Sequence, residues 1–142
     1  FRDEVEFVEK YLSIERARFG ERLRAGFDIE PGCGDALVPG LILQPIVENA
    51  VAHGIAPRAA GGSVAVRARM RDGALEVVVT DDGPGPAPAE KLYQDGHGLA
   101  NVRDRITTLY GNGGGLGVRV REGGGTQVTL LMPQQPPWSS TP

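Results

Sequence analysis

Asp81 ends an apolar run and is followed by two glycines, which makes it the first candidate for chemistry in this chain. A carboxylate at the end of a strand can point into a pocket and accept a hydrogen bond from an exocyclic amine, such as the amino group of adenine. Gly83 and Gly85 follow, and a backbone without side chains can pass close to a flat ligand. A tight turn capped by an aspartate would give the same pattern, so the motif alone leaves both interpretations open.

Polar residues also interrupt an apolar stretch over residues 39–53 that has the periodicity of a helix. Asn49 and His53 are four residues apart and would share one face of an α-helix. An asparagine amide oxygen suits Mg²⁺, which proteins commonly hold together with substrate phosphates, and His53 could donate to a phosphate. Glu48 is the third polar residue. A polar stripe along the edge of a core helix is the alternative interpretation.

A third motif, Gly96-His97-Gly98, precedes a predicted helix that begins at Leu99. Free N–H groups at such a helix start, together with the helix dipole, form a site for anions such as phosphate. A plain glycine-rich loop is the alternative. The spacing Gly96-x-Gly98-x-x-Asn101 comes close to a dinucleotide-binding fingerprint, but no predicted strand runs directly into it, and the chain has no Gly-x-x-x-x-Gly-Lys sequence.

Hydrophobic periodicity and breaker residues predict the elements that position these motifs. Helices are predicted over residues 1–19, 39–53 and 99–110, and strands over 23–29, 63–71, 74–80, 115–121 and 126–132. Helices do not alternate one-for-one with strands, which favours the α+β class. The expected architecture is a two-layer sandwich, with a mixed, mostly antiparallel sheet covered on one face by about three helices. Pro45 lies inside the second predicted helix, which indicates a kink or a later start.

Bulk composition excludes some classes of function. A net charge of −3 offers no basic face, so no nucleic-acid partner is expected. No stretch approaches the roughly 20 apolar residues of a membrane span. Cys33, the only cysteine, stands in a predicted turn, cannot form an internal disulfide and is interpreted as incidental.

Each motif is modest alone, but their order is specific. The four motifs in this order resemble the Bergerat ATP-binding fold of the GHKL superfamily. They are a helix with an asparagine, a strand ending in Asp-x-Gly-x-Gly, a Gly-x-Gly-Leu helix start and a final Gly-Thr. Histidine kinases share that fold with type II topoisomerases, chaperones and mismatch-repair ATPases. Residues 39–53 then correspond to the N box, 81–85 to the G1 box, 96–99 to the G2 box and 125–126 to the terminal Gly-Thr element.

The residues within and around these motifs resemble those of the LytS-type sensor histidine kinases over nearly the whole chain. The matching segments are Tyr11-Leu12-x-Ile14-Glu15-x-x-Arg18-Phe19, Leu43-Gln44-Pro45-Ile46-Val47-Glu48-Asn49-Ala50-x-x-His53-Gly54 and Gly98-Leu99-x-Asn101-Val102-x-x-Arg105. Topoisomerases and chaperones do not share the Leu-Gln-Pro-x-Val-Glu-Asn-Ala motif.

The resemblance implies the ATP-binding catalytic domain of a two-component protein-histidine kinase, with Mg²⁺ as cofactor. Asp81 would accept the hydrogen bond from the adenine amino group, Asn49 would hold Mg²⁺, and Thr126 would support Asp81. The other implied nucleotide contacts are His53, Gly83, Gly85, Gly96, His97, Gly98, Leu99 and Asn101.

Glu48 is the candidate catalytic residue, which could touch a metal-bound water or poise a nucleophile, and here the chain departs from the family pattern. In the hydrolysing relatives the general-base glutamate precedes the magnesium asparagine by four residues, a position that Pro45 occupies here. Glu48 is instead adjacent to Asn49, and so about 100° away around an α-helix. Many histidine kinases also carry a lysine three residues after the asparagine. Ala52 stands there, so His53 is expected to take more of the phosphate contact.

The resemblance further implies a division of the chain and a set of partners. Residues 1–20 would end a dimerisation and phosphoacceptor helix, 21–133 would form the ATP-binding domain, and 134–142 a disordered tail. Neither His53 nor His97 has the Pro-His-Phe context of a phosphoacceptor, so the chain alone is not expected to autophosphorylate. Its partners would be ATP, the phosphoacceptor histidine domain of the parent protein and a response regulator. The parent would be a homodimer anchored in a bacterial inner membrane, with this domain in the cytoplasm.

Two other functions remain open on the same fold. One is a GHKL-type ATPase switch or an anti-sigma-like serine kinase. Such proteins usually begin at their own Met, whereas Phe1 lies within a helical pattern. The other is an inactive nucleotide-binding module, against which the presence of Asn49, Asp81 and the motif glycines argues.

Overall fold

A five-stranded sheet joins strands from both halves of the chain. The computed structural model describes residues 1–86, 88 and 98–134. The strands are β1 (Leu23–Ile29), β2 (Gly62–Arg71), β3 (Ala74–Asp81), β4 (Gly115–Val120) and β5 (Thr126–Pro133). Their order is β1-β2-β3-β5-β4, in which β1 runs parallel to β2 and the other neighbouring pairs are antiparallel. The sheet is therefore mixed and mostly antiparallel, as predicted.

Three helices of the described residues, α1 (Arg2–Phe19), α2 (Gln44–Ala50) and α3 (Gly98–Tyr110), accompany the sheet. Side chains alternate along a strand, so every second residue of β3 and β5 points into the core. These inward residues are Leu75, Val77, Val79, Val128, Leu130 and Met132. α3 adds Leu99, Val102 and Ile106, and α1 adds Val8 and Leu12 to the same cluster. The α+β sandwich predicted from the sequence is confirmed.

The second helix differs from its prediction. It begins at Gln44 rather than near residue 39, and Pro45 lies in its first turn, where the missing proline N–H costs no helical hydrogen bond. Leu41 has a φ of 56°, in the left-handed region, so a continuous right-handed helix cannot pass through it. Beyond Ala50 the chain widens into a π-helical turn over Val51–Ile55, with Ala56 N–H donating to Val51 C=O at 2.9 Å. The later start is one of the two outcomes that Pro45 indicated, whereas the predicted start at residue 39 and the regular helical geometry up to residue 53 were wrong.

The remaining boundaries agree with the sequence to within about two residues. A hairpin turn at Asp72 and Gly73 joins β2 to β3, and both residues have positive φ. In the part of the chain that the structure describes, no helix is long and apolar enough to cross a membrane. Residues 135–142 of the predicted tail lie outside the described residues.

Candidate functional site

Asp81 is the last residue of β3, where that strand lies between β2 and β5. Its side chain continues the inward-facing series of Val77 and Val79, and only 6% of the residue is exposed. The carboxylate oxygen Oδ1 accepts a hydrogen bond from Gly83 N–H at 2.9 Å. The strand thus delivers a buried acceptor to its end, which is the geometry that the motif requires for recognising a ligand amine.

Burial raises the pKa of the Asp81 carboxyl above its ordinary value. Hydrogen bonds from the backbone of Gly83 and Thr126 oppose this rise in pKa, and so does the charge of Arg121, whereas the neighbouring charge of Asp82 adds to it. Desolvation of the charged form is the largest effect. An amine that donates a hydrogen bond to Asp81 would stabilise its ionised form.

Glycines let three backbone segments meet at Asp81. A Cβ added to Gly54 would lie 2.7 Å from both Cγ and Oδ1 of Asp81. A Cβ on Gly83 would lie 2.5 Å from the Cα of Gly54. Gly125 has a φ of 101°, and a Cβ there would overlap the backbone carbonyl oxygen of Asp81. The backbone of Gly54 and Gly83 therefore packs against the carboxylate, and the backbone of Gly125 packs against the main chain of Asp81.

Sequence reasoning did not include Gly54 or Gly125 among the candidate site residues. The available signal was the glycine itself: Gly54 follows His53 directly, and Gly125 precedes Thr126. Gly54 reaches Asp81 from within the π-helical turn, a kind of distortion that frequently occurs at functional sites. Because the helix is no longer α-helical beyond Ala50, the four-residue spacing does not by itself place Asn49 and His53 on one face.

A hydrogen-bond network fixes the chain next to Asp81. Asp82 Oδ1 accepts a hydrogen bond from Ser63 N–H at 2.8 Å, and Arg58 Nη1 donates to the carbonyl oxygen of Asp82 at 2.7 Å. Arg58 also forms an ion pair with the Asp82 carboxylate at 3.3 Å. Nothing in the sequence pattern predicted Arg58, because its partner is distant along the chain. The network anchors the start of the segment that carries Gly83.

α2 carries the polar residues predicted for the metal and for catalysis. Asn49 is half-buried, whereas Glu48 is exposed and accepts a hydrogen bond from Gln44 Nε2 at 2.7 Å. Burial, then the charge of Glu15, then that of Glu48 raise the pKa of Tyr11 on α1 to about 12. The carboxylate of Glu48 is therefore close enough to α1 to act on Tyr11.

The start of α3 packs closely against α2. A Cβ on Gly98 would lie 3.3 Å from the Cβ of Pro45, which is tighter than an ordinary contact. Leu99 is fully buried, so its side chain belongs to the core and only its backbone could reach a ligand. Asn101 is exposed one turn along.

Of the other predicted contacts, Thr126 and Gly85 are described by the structure and two residues are not. Thr126 is buried and pairs with Asp81 in the register of β3 and β5, and Gly85 has a φ of 103°. Gly96 and His97 lie outside the described residues.

The donor set bears on how Mg²⁺ could bind. Among the described residues, no group of three or more His, Cys, Asp or Glu side chains could hold a metal ion. Asn49 supplies one amide oxygen. This fits an ion that arrives with nucleotide phosphates and keeps several of its waters, which is common for Mg²⁺, and it does not fit an all-protein cage.

Comparison with known proteins gives the family. The family of histidine kinase-, DNA gyrase B- and HSP90-like ATPases matches residues 34–136, well over half of the chain. The chain belongs to this family. The match covers both Asn49 and Asp81, so the family assignment and the geometry refer to the same part of the fold.

Similar proteins include a sensor histidine kinase and a sensor protein. The sensor histidine kinase YesM of Bacillus subtilis strain 168 is 32% identical over 133 residues, which cover 92% of this chain and 23% of the relative. The sensor protein LytS of Staphylococcus epidermidis strain ATCC 12228 is 32% identical over 141 residues, covering 92% of this chain and 24% of that protein. The chain thus spans about a quarter of the length of both relatives.

A solved structure agrees with these relatives. The histidine kinase domain of the blue-light activated histidine kinase of Erythrobacter litoralis EL346 superposes with a TM-score of 0.68 at 26% identity, over 92% of this chain and 60% of that one. Together these findings confirm the predicted domain type. The chain is the ATP-binding catalytic domain of a sensor histidine kinase.

Proposed function

We propose that the domain binds Mg-ATP and donates the γ-phosphate to a histidine on the phosphoacceptor domain of its parent protein. The observation that carries the proposal is the buried Asp81 carboxylate, with the backbone of Gly54 and Gly83 packed against it and Gly125 packed against the Asp81 main chain. A carboxylate in such a setting is suited to one flat, amine-bearing ligand. Family membership supports ATP as that ligand.

Each end of the nucleotide has its own contacts in this proposal. Asp81 accepts from the adenine amino group, with Thr126 as its neighbour, and Gly83, Gly85, Gly96 and Gly98 let the backbone approach the base and phosphates. Asn49 holds Mg²⁺, which supplies neutralisation of phosphate charge when bound. His53 contacts a phosphate through its side chain, Leu99 does so through its backbone, and His97 and Asn101 are further nucleotide contacts.

The chemical step needs little covalent help from the domain. Phosphoryl transfer depends chiefly on positioning and on neutralising charge. The bond between the γ-phosphorus and the bridging oxygen breaks, ADP leaves with the electron pair, and the acceptor imidazole nitrogen forms the new bond. Glu48 is exposed and its charge acts on Tyr11 of α1, which suits a role in orienting the acceptor histidine.

The proposal extends to the parent protein. Residues 1–20 end its dimerisation helix, 21–133 form the catalytic domain and 134–142 a tail. The parent is a membrane-anchored bacterial homodimer with this domain in the cytoplasm, and the phosphoryl group passes on to a response regulator. The relatives YesM, a sensor histidine kinase, and LytS, a sensor protein, support a parent protein that acts as a sensor.

Calorimetry with ATP and Mg²⁺ tests the site. Asp81→Asn should weaken binding by about tenfold to a hundredfold, the range for losing a hydrogen bond to a charged group. Asn49→Asp should also weaken it, because a new negative charge faces the phosphates. Asp72→Asn is the matched control, since Asp72 lies in the exposed hairpin turn. Unchanged binding in both site variants would refute the assignment.

Mixing the domain with the phosphoacceptor domain of the parent protein tests the reaction. ATP-dependent phosphorylation of a histidine on that second domain is the expected result. ATP hydrolysis without phosphorylated histidine would instead indicate the ATPase switch, and binding with neither reaction would indicate an inactive module.

A further inference from the structure

Residues 40–43, which immediately precede α2, are bonded to a carboxylate from α1. Oε1 of Glu4 accepts hydrogen bonds from Ile42 N–H at 2.6 Å and from Leu43 N–H at 3.1 Å. Oε2 of the same residue accepts one from Leu41 N–H at 3.1 Å. A single side chain thus binds three consecutive backbone donors of this segment.

The same segment is bonded to α3 through its carbonyl groups. Arg105 Nη2 donates to Gly40 C=O at 2.6 Å, and Arg105 Nη1 donates to Leu41 C=O at 3.2 Å. Leu41 has a φ of 56°, a left-handed conformation that a leucine rarely adopts. A strained backbone of this kind persists only where its surroundings over-determine it, and the bonds from Glu4 and Arg105 provide that constraint.

These bonds determine where α2 begins. The N–H groups at a helix start have no partner within the helix, and α2 has no side-chain cap of its own. The Glu4 carboxylate binds one of these groups, the N–H of the N-cap residue Leu43, together with the two N–H groups before it, and its charge is of the favourable sign for a helix N-terminus. Leu43 C=O then accepts from Ile46 N–H at 3.1 Å and from Val47 N–H at 3.2 Å, so the first turn grows directly from the bonded segment.

We propose that Glu4 and Arg105 are positioning residues that set α2, and with it Asn49, relative to the start of α3. The inference rests on the proposed function, in which Asn49 holds Mg²⁺ and the start of α3 contacts phosphate. A displacement of α1 moves Glu4, releases the three N–H groups and shifts the metal ligand. Asp81, held by its neighbours in the sheet, keeps its place. α1 thereby controls the magnesium-dependent part of nucleotide binding.

A purely structural role makes a different prediction. If Glu4 only stabilised the fold, its loss would weaken every mode of nucleotide binding equally or weaken none. A positioning role weakens binding only where Asn49 acts, which is with Mg²⁺ present. The ratio of ATP affinities with and without Mg²⁺ therefore separates the two roles.

The test uses Glu4→Gln, which keeps the size of the side chain but turns an amide N–H₂ towards a backbone donor. Glu6→Gln is the matched control, because Glu6 is exposed on the same helix. The dissociation constant for ATP is measured in Mg²⁺ and in EDTA. For Glu4→Gln we expect about a three- to tenfold weaker Mg-ATP affinity and an EDTA value within about twofold of wild type. Equal weakening in both conditions, or none in either, overturns the proposal.

Arg105→Gln should give the same pattern and serves as the second variant if Glu4→Gln does not fold. Hydrogen exchange gives a readout that does not need the ligand. Exchange in Glu4→Gln should accelerate from residue 41 along α2 as far as Asn49, and acceleration confined to 41–43 contradicts the proposal. If the wild-type domain binds no ATP, the proposed function fails, and the exchange pattern alone still decides whether Glu4 positions α2.

Discussion

The two ends of the proposed nucleotide site are built by different means. Around Asp81, neighbouring strands and three glycines place main chain against main chain, so sheet hydrogen bonds hold the base-recognising carboxylate. Around Asn49, the geometry depends on where a short helix begins, and two charged side chains from other helices fix that point. The site therefore has a fixed end around Asp81, which recognises the base, and an adjustable end around Asn49, which binds Mg²⁺ and the phosphates.

Gly125→Ala, a change at the fixed end, is expected to have the largest effect on stability and on ATP binding. The new Cβ would overlap the Asp81 carbonyl oxygen, in a backbone that already has positive φ. The free energy of unfolding should fall by about 2–4 kcal/mol, the range for severe strain inside a fold, and ATP binding should be lost. Urea unfolding measures the first effect and calorimetry the second.

Gly124→Ala is the control for that variant. Gly124 has a similar φ of 106°, but a Cβ there meets no atom within 4 Å. It carries the backbone strain without the overlap, so its destabilisation should be clearly smaller. Equal losses in the two variants would mean that contact with Asp81 is not what requires a glycine at 125.

Gly54→Ala should be the next most damaging change, and it should affect binding more than stability. Its Cβ would lie 2.7 Å from the Asp81 carboxyl group, which must move to make room. ATP affinity should fall by about tenfold or more both in Mg²⁺ and in EDTA, because base recognition needs no metal. Gly117→Ala, in open space on β4, is the control. A loss that appears only with Mg²⁺ would contradict the proposed division of the site.

The pH dependence of stability should report the burial of Asp81, with a smaller effect than either glycine variant. Its folded-state pKa is raised, so the folded protein retains the proton to higher pH than the unfolded chain does. The contribution of Asp81 to stability is therefore fully present below the ordinary pKa of 3.8 and is lost as pH rises through the folded value.

Asp81→Asn should remove that decline and, near neutral pH, should make the ligand-free domain more stable while it weakens ATP binding. Unfolding curves collected across this pH window for wild type, Asp81→Asn and the control Asp72→Asn measure the difference. A wild-type stability that rises relative to Asp81→Asn across the window would rule out burial as the dominant influence.

Gly98→Ala should have the smallest effect and belongs to the adjustable end. The new Cβ would lie 3.3 Å from the Cβ of Pro45, so α2 and α3 must separate by a few tenths of an ångström. Mg-ATP affinity should fall by about two- to threefold, with affinity in EDTA unchanged, while the better helix propensity of alanine offsets part of the packing loss. An equal loss of ATP affinity with and without Mg²⁺ would contradict the assignment of Gly98 to the adjustable end.

The sequence predicted those parts of the fold that depend on local pattern. Alternation identified the strands on either side of Asp72-Gly73, and the end of the second placed Asp81 correctly on the inward-facing side. Helical spacing of Val102 and Ile106 gave the core face of α3. In each case, residues close together in the chain determine the conformation.

Long-range contacts account for what was not predicted. Pro45 indicated a kink or a later start of α2, but which of the two occurs depends on Glu4, which lies far from Ile42 in sequence. The role of Gly54 depends on its contact with Asp81. Arg58 could not be identified, because its partner Asp82 follows a whole strand pair later. Periodicity within one segment carries no information about such pairings between segments.

The parallel pairing of β1 with β2 has a consequence for how the chain folds. Parallel neighbours require a crossover connection, and here residues 30–61, which contain α2 and the π-helical turn, form it. β1 can complete its pairing only after this connection has packed, since the entropy of closing a long loop must be overcome before the strands gain their contacts. Changes that weaken the start of α2 should therefore slow folding itself, because α2 lies in the connection that must close before β1 and β2 can pair.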